Sequence, residues 1–369
     1  MARTIQHRLQ DDFDWPLFLV ICVLATLGVV NLYSATSAQT GARAELYIQQ
    51  IYWLALGGGV AVIVAAVDYK TYERYAYGAY VGSIVALLAV FLLGKSIRGT
   101  HRWIQIGSFL FQPSEFVKLT LMLAVARYVQ RDTRTSAWTL RDLVAPGALI
   151  GLPLALVMAQ PDLGTALIVG LVAVSTLSLV RIDRRSLLTI VVGGSAGGGM
   201  LWFYGLKQYQ KERLTSFLSD TVDVQGTGWQ AHQSMVAIGS GRWLGQGFMQ
   251  GTQNQQHFLP DTHSDFPFPV WAQEQGFVGA VVVLLLYLFL VLWGLRIASL
   301  AKDRFGAAIA VGVTALFFWH VVFNVGMATR SLPVVGVTLP FFSYGGSSVL
   351  AILIGVGLLM NVSMRRRAL

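Results

Sequence analysis

Two histidines and two aspartates lie within nine consecutive positions of the segment HFLPDTHSDFPFP, residues 257–269. They are His257, Asp261, His263 and Asp265, and one of the longest apolar runs of the chain follows them directly. Their nitrogen and oxygen atoms could bind a divalent metal ion, although the segment lacks a catalytic zinc spacing such as HExxH. One carboxylate could instead accept a proton from a substrate hydroxyl as a general base. A solvated loop can also contain such residues with no role, so the segment alone leaves three interpretations open.

The position of Asp265 favours the general-base interpretation. Asp265 precedes Phe266, where the chain passes from a polar segment into the apolar run. A carboxylate that is partly removed from water loses solvation of its charged form, which raises its pKa and makes it a stronger base. We therefore expect Asp265 to be the basic carboxylate of the segment.

The composition indicates an integral membrane protein. Charged residues make up 12% of the 369 residues and hydrophobic residues 55%, and the mean hydropathy is +0.60. So few charged side chains cannot cover the surface of a water-soluble protein of this size. The single cysteine, Cys22, lies inside an apolar run, so an intramolecular disulfide bond is excluded.

Ten apolar runs are each long enough to cross the roughly 30 Å hydrocarbon core of a bilayer. The sequence therefore predicts an all-α polytopic membrane protein with ten transmembrane helices, in which residues 1–369 form a single integral membrane domain. No clean small-residue cleavage site follows the first run, so we expect it to be a retained helix. The runs cover about 15–35, 49–67, 75–94, 113–130, 143–160, 163–180, 186–205, 268–297, 305–329 and 341–363.

The distribution of basic residues predicts the orientation of these helices. With a cytoplasmic N-terminus, the inner segments contain 17 of the 27 Lys and Arg residues and the outer segments contain 9, with Lys118 inside a helix. Because basic residues are enriched in cytoplasmic loops, both termini are expected to be cytoplasmic in a multi-pass protein of the cytoplasmic (inner) membrane. The formal charge of +9 then mostly reflects the basic residues that set the orientation, and it gives no support for nucleic-acid binding.

The segment between the seventh and eighth runs, about 206–267, is unusually long for a connection between helices. On this orientation it is an extracytoplasmic loop, and its length alone suggests a function. The apolar spacing around 229–238 is compatible with a short helix that lies on the membrane surface. The glycine-rich stretch 239–251 lacks the spacing of a nucleotide-binding loop, so we interpret it as a tight turn against the membrane.

Two further outer segments have an unusual composition. Residues 94–119 mix apolar and polar types, which suggests a re-entrant or interfacial element before a helix with Pro113 in its first turn. In residues 328–348, Pro333 and Pro340 are expected to break the chain ahead of the tenth helix.

Several polar residues lie within or between the apolar runs. Glu115 and Lys118 share a helix face, so they form either a structural ion pair or part of a polar cavity that contacts a ligand headgroup. Asp162 is placed to cap the sixth helix by accepting its free N–H groups. His320 and Asn324 are four residues apart on one face, where hydrogen bonds between helices account for both.

Four multi-residue motifs occur in a fixed order along the chain. They are RWIQIG with FQPSEFVKL, QPDLGTAL, GTGWQ through HSDF, and NVGM with LPVVGVTLPFFSYGGSS. These motifs resemble the signatures of the SEDS family (shape, elongation, division and sporulation). The similarity runs from about residue 15 to 363, and the overall length is more similar to members that act in cell elongation than to those that act in division.

The resemblance implies a peptidoglycan glycosyltransferase that polymerises lipid II on the outer face of the cytoplasmic membrane during cell elongation. It also implies a ten-helix fold, a class B penicillin-binding protein as the transpeptidase partner, and association with the elongation machinery. The family's essential aspartate falls on Asp265 in HSDF, and its polar pair falls on Glu115 and Lys118.

The implied reaction is an inverting glycosyl transfer. Asp265 takes the proton from the GlcNAc 4-hydroxyl of the acceptor while that oxygen attacks C1 of the donor MurNAc, and undecaprenyl diphosphate leaves. A divalent cation, Mg or Mn, is a further candidate for stabilising the diphosphate charge, although no ligand set in the sequence establishes one. The candidate substrate-binding residues are Glu115, Lys118, Arg102, Arg213, His263 and Ser343, the last near the start of the tenth helix, whose N–H groups suit an anion.

Two other functions fit the same composition. A lipid II flippase or transporter would also have ten helices, proline-broken segments and intramembrane charges. A noncatalytic scaffold for a penicillin-binding protein would not need Asp265. The inner loops contribute mainly topogenic arginines, which favours the transferase over a transport path that crosses the whole membrane.

Overall fold

The computed structural model describes residues 13–37, 39, 41–97, 100–107, 109–134, 136–205, 208, 211, 215, 227–256, 258–259 and 261–365. Helices dominate, and they are numbered in chain order. They are α1 (Trp15–Ser37), α2 (Leu46–Ala66), α3 (Tyr69–Leu93), α4 (Pro113–Arg131), α5 (Val144–Ala159), α6 (Leu163–Leu177), α7 (Arg184–Met200, continued by a π-helical turn Leu201–Gly205), α8 (Thr227–Ser240), α9 (Thr252–Gln255), α10 (Pro267–Ser299), α11 (Arg304–Ala328) and α12 (Gly346–Arg365).

Each of the ten predicted apolar runs coincides with a helix. Within the described ranges, seven helices are long and apolar enough to cross a membrane: α1, α2, α3, α7 with its π-helical turn, α10, α11 and α12. Helices α5 and α6 are shorter, with 16 and 15 residues, and α4 contains four charged residues. A polytopic helical membrane protein is thus confirmed, while the number of ten spans stays a prediction.

The segment predicted to be a re-entrant or interfacial element forms a small antiparallel sheet, so the all-α prediction is wrong in this segment. Its strands are β1 (Lys95–Ile97), β2 (Thr100–Ile106) and β3 (Phe109–Phe111), in the order β1-β2-β3. In strand β2, Ile104 and Ile106 lie on one face and Trp103 and Gln105 on the other. Gly107 has φ +62°, a conformation that glycine adopts at little cost, at the turn into β3. Pro113 then occupies the first turn of α4, as predicted.

Helices α11 and α12 form the centre of the bundle. Most of their side chains are buried, whereas α7 buries only Ser186 and lies at the periphery. Helices α4, α6, α10 and α12 all begin at the end of the bundle where a cavity opens. We call this end the cavity end and the other end the opposite end. The two ends contain different sets of buried polar residues.

Helix α10 is broken near the cavity end, and the glycine-rich stretch supports the break. Gly276 has φ +66° and ψ −165°, which interrupts the helical hydrogen bonds. The Phe277 N–H donates to the Arg242 carbonyl at 2.8 Å, and the Gly247 N–H donates to the Glu274 carbonyl at 3.1 Å. The stretch 239–251 therefore forms turns, as predicted, but packs against α10.

The predicted helix near 229–238 is confirmed as α8, and it packs on protein. Its small residues Ala231, Ser234 and Ala237 are buried, and the Ser234 hydroxyl donates to the Ala328 carbonyl at 2.7 Å. Small side chains at a spacing of three let α8 approach the neighbouring helices closely. The membrane-surface prediction did not anticipate this contact because it considered only the larger apolar residues.

Candidate active site

A cavity of about 840 Å³ opens at the cavity end of the bundle. Its wall combines β2, β3, the first turns of α4, α6 and α12, part of α11, and the segments 264–265 and 335–338. Four of the residues predicted from sequence line it together: Arg102, Glu115, Lys118 and Asp265. The fold thus gathers side chains from two of the four sequence motifs around one space.

A compact turn presents Asp265 to the cavity. The Asp261 carbonyl accepts the N–H groups of Ser264, Asp265 and Phe266 at 3.1, 3.1 and 3.2 Å. Helix α10 begins two residues after Asp265, so the carboxylate lies at the edge of the helix, as predicted. A Cβ atom built on Gly336 would lie 3.5 Å from Asp265 Oδ2, which places the carboxylate against the backbone of the 335–338 segment. Asp261 lies outside the cavity lining.

Asn324 connects this turn to the 335–338 segment of the cavity wall. Its side-chain amide is fully buried and donates to the Asp265 carbonyl at 2.9 Å and to the Val337 carbonyl at 2.7 Å. We predicted that hydrogen bonds between helices would account for Asn324, but its partners are carbonyls of two non-helical segments. The only signal in the sequence was its spacing of four from His320.

Glu115, Lys118 and His320 form a buried hydrogen-bonded chain at the base of the cavity. Lys118 Nζ lies 2.8 Å from Glu115 Oε2 and 3.1 Å from His320 Nε2, which confirms the predicted ion pair. His320 Nδ1 lies 2.8 Å from the Thr338 carbonyl. A carbonyl only accepts, so Nδ1 carries the proton of a neutral imidazole and Nε2 accepts from the Lys118 ammonium group. The lysine is thereby held by two partners on different helices.

Arg102 is anchored to the turn that precedes α6. Its guanidinium lies 3.4 Å from Asp162 Oδ1, and its Nε donates to the Gln160 carbonyl at 3.2 Å. Asp162 also accepts the Thr165 N–H at 3.2 Å, so the predicted helix cap is confirmed. About a fifth of the Arg102 side chain stays exposed, which leaves it able to contact a ligand in the cavity.

The other predicted residues that the structure describes lie outside the cavity lining. Ser343 is 3% exposed, and its hydroxyl accepts the Leu339 N–H at 2.8 Å outside the cavity lining. His263 also lies outside the lining, and its carbonyl accepts the Tyr344 N–H at 2.7 Å. His257 and Arg213 fall outside the described residues, and their predicted roles stay predictions.

Aromatic residues that the sequence analysis did not single out form another part of the cavity wall. Trp53 and Phe109 have ring centroids 4.7 Å apart, and Tyr344 donates from its hydroxyl to Gln49 at 2.5 Å. Such surfaces suit the apolar faces of sugar rings or the first isoprene units of a lipid. The aromatic lining residues are Tyr52, Trp53, Trp103, Phe109 and Tyr344.

Comparison with known proteins identifies the family. The family of cell cycle proteins named for FtsW, RodA and SpoVE matches residues 14–368. The peptidoglycan glycosyltransferase MrdB of Escherichia coli K12 is 36% identical over 356 residues, which cover 96% of this chain and 95% of that protein. The peptidoglycan glycosyltransferase RodA of Treponema pallidum is 31% identical, with 96% of this chain and 98% of that protein covered.

Solved structures share the same fold. A chain from a study of how a peptidoglycan synthase complex coordinates polymerization and crosslinking has a TM-score of 0.82 at 30% identity. The crystal structure of the rod shape determining protein RodA of Thermus thermophilus has a TM-score of 0.70 at 28% identity. Each comparison covers 96% of this chain and 98% of the other. The chain therefore belongs to the FtsW, RodA and SpoVE family, the SEDS family that its motifs resemble.

Proposed function

We propose that this protein is a peptidoglycan glycosyltransferase that polymerises lipid II into glycan strands during cell elongation. It crosses the cytoplasmic (inner) membrane ten times, with both termini in the cytoplasm and the cavity on the outer face. The substrate's lipid then lies in the bilayer while its sugars reach Asp265 at the membrane edge.

The observation that carries the proposal is the composition of the cavity wall. The Asp265 carboxylate and two cations, Lys118 and Arg102, line the same space, and the other two carboxylates of the lining, Glu115 and Asp162, are paired with those cations. A base for a sugar hydroxyl and cations for a diphosphate are the two requirements of transfer from a lipid diphosphate. The relatives named as peptidoglycan glycosyltransferases support the same reaction.

Asp265 acts as the general base. It takes the proton from the GlcNAc 4-hydroxyl as that oxygen forms a bond to C1 of the donor MurNAc. The bond from C1 to the diphosphate oxygen breaks on the other face, so the configuration at C1 inverts. Glycosidases need a second carboxylic acid to protonate the departing sugar oxygen, whereas a diphosphate needs only charge stabilisation to leave.

Lys118, Arg102 and the start of α12 stabilise the departing diphosphate. The two side chains supply positive charge, and the first residues of α12 supply free N–H groups with the positive end of the helix dipole. Glu115 and Asp162 hold the two cations in place through the ion pairs. The residues of the α12 N-terminus that line the cavity are Gly345, Gly346, Ser347 and Ser348.

The predicted divalent cation, Mg or Mn, depends on the ligands that the described residues offer. No group of three His, Cys, Asp or Glu side chains within them lies close enough together to hold one. The lining nevertheless contains three carboxylates, Glu115, Asp162 and Asp265, beside its two cations. A requirement for Mg or Mn stays a prediction, and no step of the reaction is assigned to a metal ion.

The residues below the cavity favour a transferase over a lipid II flippase. A transport path needs polar groups that continue across the membrane. Beyond Lys118, the next turns of α4 present the buried apolar side chains Leu119, Leu121, Met122 and Leu123. Glu115 and Lys118, the two charged residues in the first half of this helix, thus serve a site at one end of the bundle.

A class B penicillin-binding protein is the proposed partner, within the elongation machinery. The similarity to a chain from a peptidoglycan synthase complex, in which polymerization and crosslinking are coordinated, supports this assignment. The new glycan strand would pass from the cavity to the transpeptidase on the same side of the membrane.

Polymerisation of labelled lipid II by the purified protein with its penicillin-binding protein tests the proposal. The matched variants are Asp265→Asn and Asp261→Asn, because both remove one carboxylate from the same turn and only Asp265 lines the cavity. We expect Asp265→Asn to reduce the rate by about 10³-fold, within the range of general-base catalysis, and Asp261→Asn to retain activity. If the wild-type complex makes no polymer, or Asp265→Asn polymerises as fast, the assignment is wrong and lipid transport becomes the function to measure.

A further inference from the structure

We propose that Asn324 is a positioning residue that sets the place of Asp265 relative to the cations of the cavity, an inference that rests on the proposed function. Asn324 does not line the cavity, so it acts through its neighbours. Its two hydrogen bonds, to the carbonyls of Asp265 and Val337, join two segments that are far apart in the sequence.

The burial of Asn324 makes these bonds decisive for its orientation. The side chain is fully buried, and its amide oxygen has no hydrogen-bond partner among the described residues. The two donor bonds therefore fix the amide group. If the buried amide lost both hydrogen bonds, the cost in folding free energy would exceed that of losing two exposed hydrogen bonds, because its N–H groups could not reach water.

One face of α11 thereby holds both the base and a cation of the proposed reaction. Asn324 holds the Asp265 backbone, and His320, one turn away, holds the Lys118 ammonium group at 3.1 Å. The carbonyls of the adjacent residues Val337 and Thr338 accept from these two side chains. A single rigid helix thus fixes the base and a diphosphate-binding cation against the same short segment.

Asn361 offers a matched control at the opposite end of the bundle. It is also a fully buried asparagine whose amide donates to backbone carbonyls, those of Val64 and Ala65 at 2.7 and 3.1 Å, and whose amide oxygen lacks a partner among the described residues. The variants Asn324→Leu and Asn361→Leu replace the same chemistry with a side chain of similar size. Only the first alters the support of Asp265.

The first measurement is lipid II polymerisation by the full-length chain with its penicillin-binding protein. A displacement of about 1 Å at a reacting group can cost about 100-fold in rate, so we expect Asn324→Leu to lower kcat by about 100-fold. Its KM should stay within about threefold of wild type, because binding of ground-state lipid II is retained. Asn324→Gln, which keeps the donor group on a longer side chain, should recover part of kcat, and Asn361→Leu should keep the wild-type kcat.

The second measurement is hydrogen–deuterium exchange of the same variants, which needs no activity. Asn324→Leu should increase deuterium uptake in peptides that contain 261–266 and 334–339, and Asn361→Leu should not. If Asn324→Leu does not fold, Asn324→Ser takes its place, since its hydroxyl is too short to reach both carbonyls.

The two measurements separate failure of the inference from failure of the proposed function. If the wild-type complex polymerises lipid II and Asn324→Leu has an undiminished kcat, the positioning role is overturned. It is also overturned if Asn324→Leu takes up no more deuterium than the wild type in the peptides that contain 261–266 and 334–339. A loss of kcat in Asn361→Leu equal to that in Asn324→Leu also overturns it, because the effect would then reflect stability alone. Increased uptake with no polymer from the wild-type complex would overturn the glycosyltransferase and its positioning residue, and leave Asn324 as a structural clamp.

Discussion

Asp14 at the opposite end of the bundle and Asp265 at the cavity end are both aspartates that precede a membrane helix, yet their surroundings differ. Asp14 is 3% exposed and accepts from the Leu17 N–H at 3.3 Å, the Trp293 indole at 2.9 Å and the Ser363 hydroxyl. Asp265 is partly exposed and faces a cavity of about 840 Å³. The first carboxylate is buried among protein donors, whereas the second lies on the wall of a cavity that can hold a ligand.

The carbonyl groups at the end of α2 extend this contrast. The last carbonyls of a helix have no partner within the helix and need donors from elsewhere. Asn361 donates to Val64 and Ala65, and Arg365 donates to the carbonyls of Ala65 and Ala66 at 3.0 and 2.9 Å. These polar residues at the opposite end join α1, α2, α10 and α12, and their hydrogen bonds are made within the protein.

The difference shows how the same residue types serve two purposes in one membrane protein. Intramembrane polar residues point to function in general, but only those that line a cavity can contact a substrate. Variants at the opposite end should therefore change stability without changing the rate per folded molecule. Variants at the cavity end should change both.

The largest change in stability is expected at the Glu115–Lys118 pair. Lys118→Met leaves a buried carboxylate without its cation, which costs about 3–5 kcal/mol of unfolding free energy for a buried pair. The double variant Glu115→Gln, Lys118→Met removes both charges, so it should recover most of the stability while polymerisation stays lost. Denaturant unfolding and lipid II polymerisation measure the two effects. If Lys118→Met were as stable as the double variant, the Glu115–Lys118 pair would not be buried in the way that the structure shows.

A substitution that disturbs the break in α10 should lower the stability nearly as much. A Cβ atom at Gly245 would lie 2.0 Å from the Glu274 carbonyl oxygen, and Gly245 has φ +84°. Gly245→Ala should therefore cost about 3 kcal/mol, the upper end for backbone strain, and reduce activity by displacing the start of α10. Gly58→Ala is the control: no atom lies within 4 Å of its Cβ position, and alanine in a helix interior stabilises by up to about 1 kcal/mol. Equal melting temperatures for the two variants would contradict this account of the break.

Asp14→Ala tests the opposite end with an intermediate effect. The variant leaves the Trp293 indole N–H and the Ser363 hydroxyl without their buried acceptor, which should cost about 2 kcal/mol. The polymerisation rate per folded molecule should stay at the wild-type value, because Asp14 is remote from the cavity. A lower rate at unchanged stability would break the comparison between the two ends.

The sequence predicted the local features of this architecture well. The apolar runs, the Asp162 cap and the Glu115–Lys118 pair each depend on residues within a few positions of one another, where helix geometry fixes the outcome. The sheet β1-β2-β3 was missed because its strands are short and lie in a segment of mixed composition. Local periodicity distinguishes poorly between such short elements.

The assembly of the cavity was not predictable in the same way. The contacts of Arg102 with Asp162 and of Asn324 with Asp265 join segments that only the tertiary fold brings together. Arg102 was selected for its charge, but its anchoring to the α6 cap had no local signal. The predicted role of Ser343 rested on its position before α12, and the structure shows that its hydroxyl instead bonds the Leu339 N–H within a turn.

The smallest effect is expected at Asp142, in the connection between α4 and α5 at the opposite end. The Thr139 N–H and hydroxyl, each 2.8 Å from Asp142 Oδ2, and the Arg134 guanidinium lower the pKa of Asp142 to about 2. A lowered pKa stabilises the fold above the unfolded value of about 3.9, and this contribution is lost as the pH falls toward 2. Asp142→Asn should therefore lower Tm slightly and equally from about pH 5 to 8, and the difference should shrink below about pH 4.

Salt provides the control for the Asp142 prediction. Arg134 is 42% exposed, so added salt should screen the Arg134 part of the interaction and reduce the Tm difference at neutral pH. The Thr139 hydrogen bonds should keep part of the difference, because salt does not screen them in the same way. A Tm difference that grows on acidification would mean that Asp142 is destabilising in the folded protein. Slower polymerisation by a variant of unchanged Tm would mean that the opposite end takes part in the reaction, because Asp142 contacts only Thr139 and Arg134 in the hydrogen bonds described.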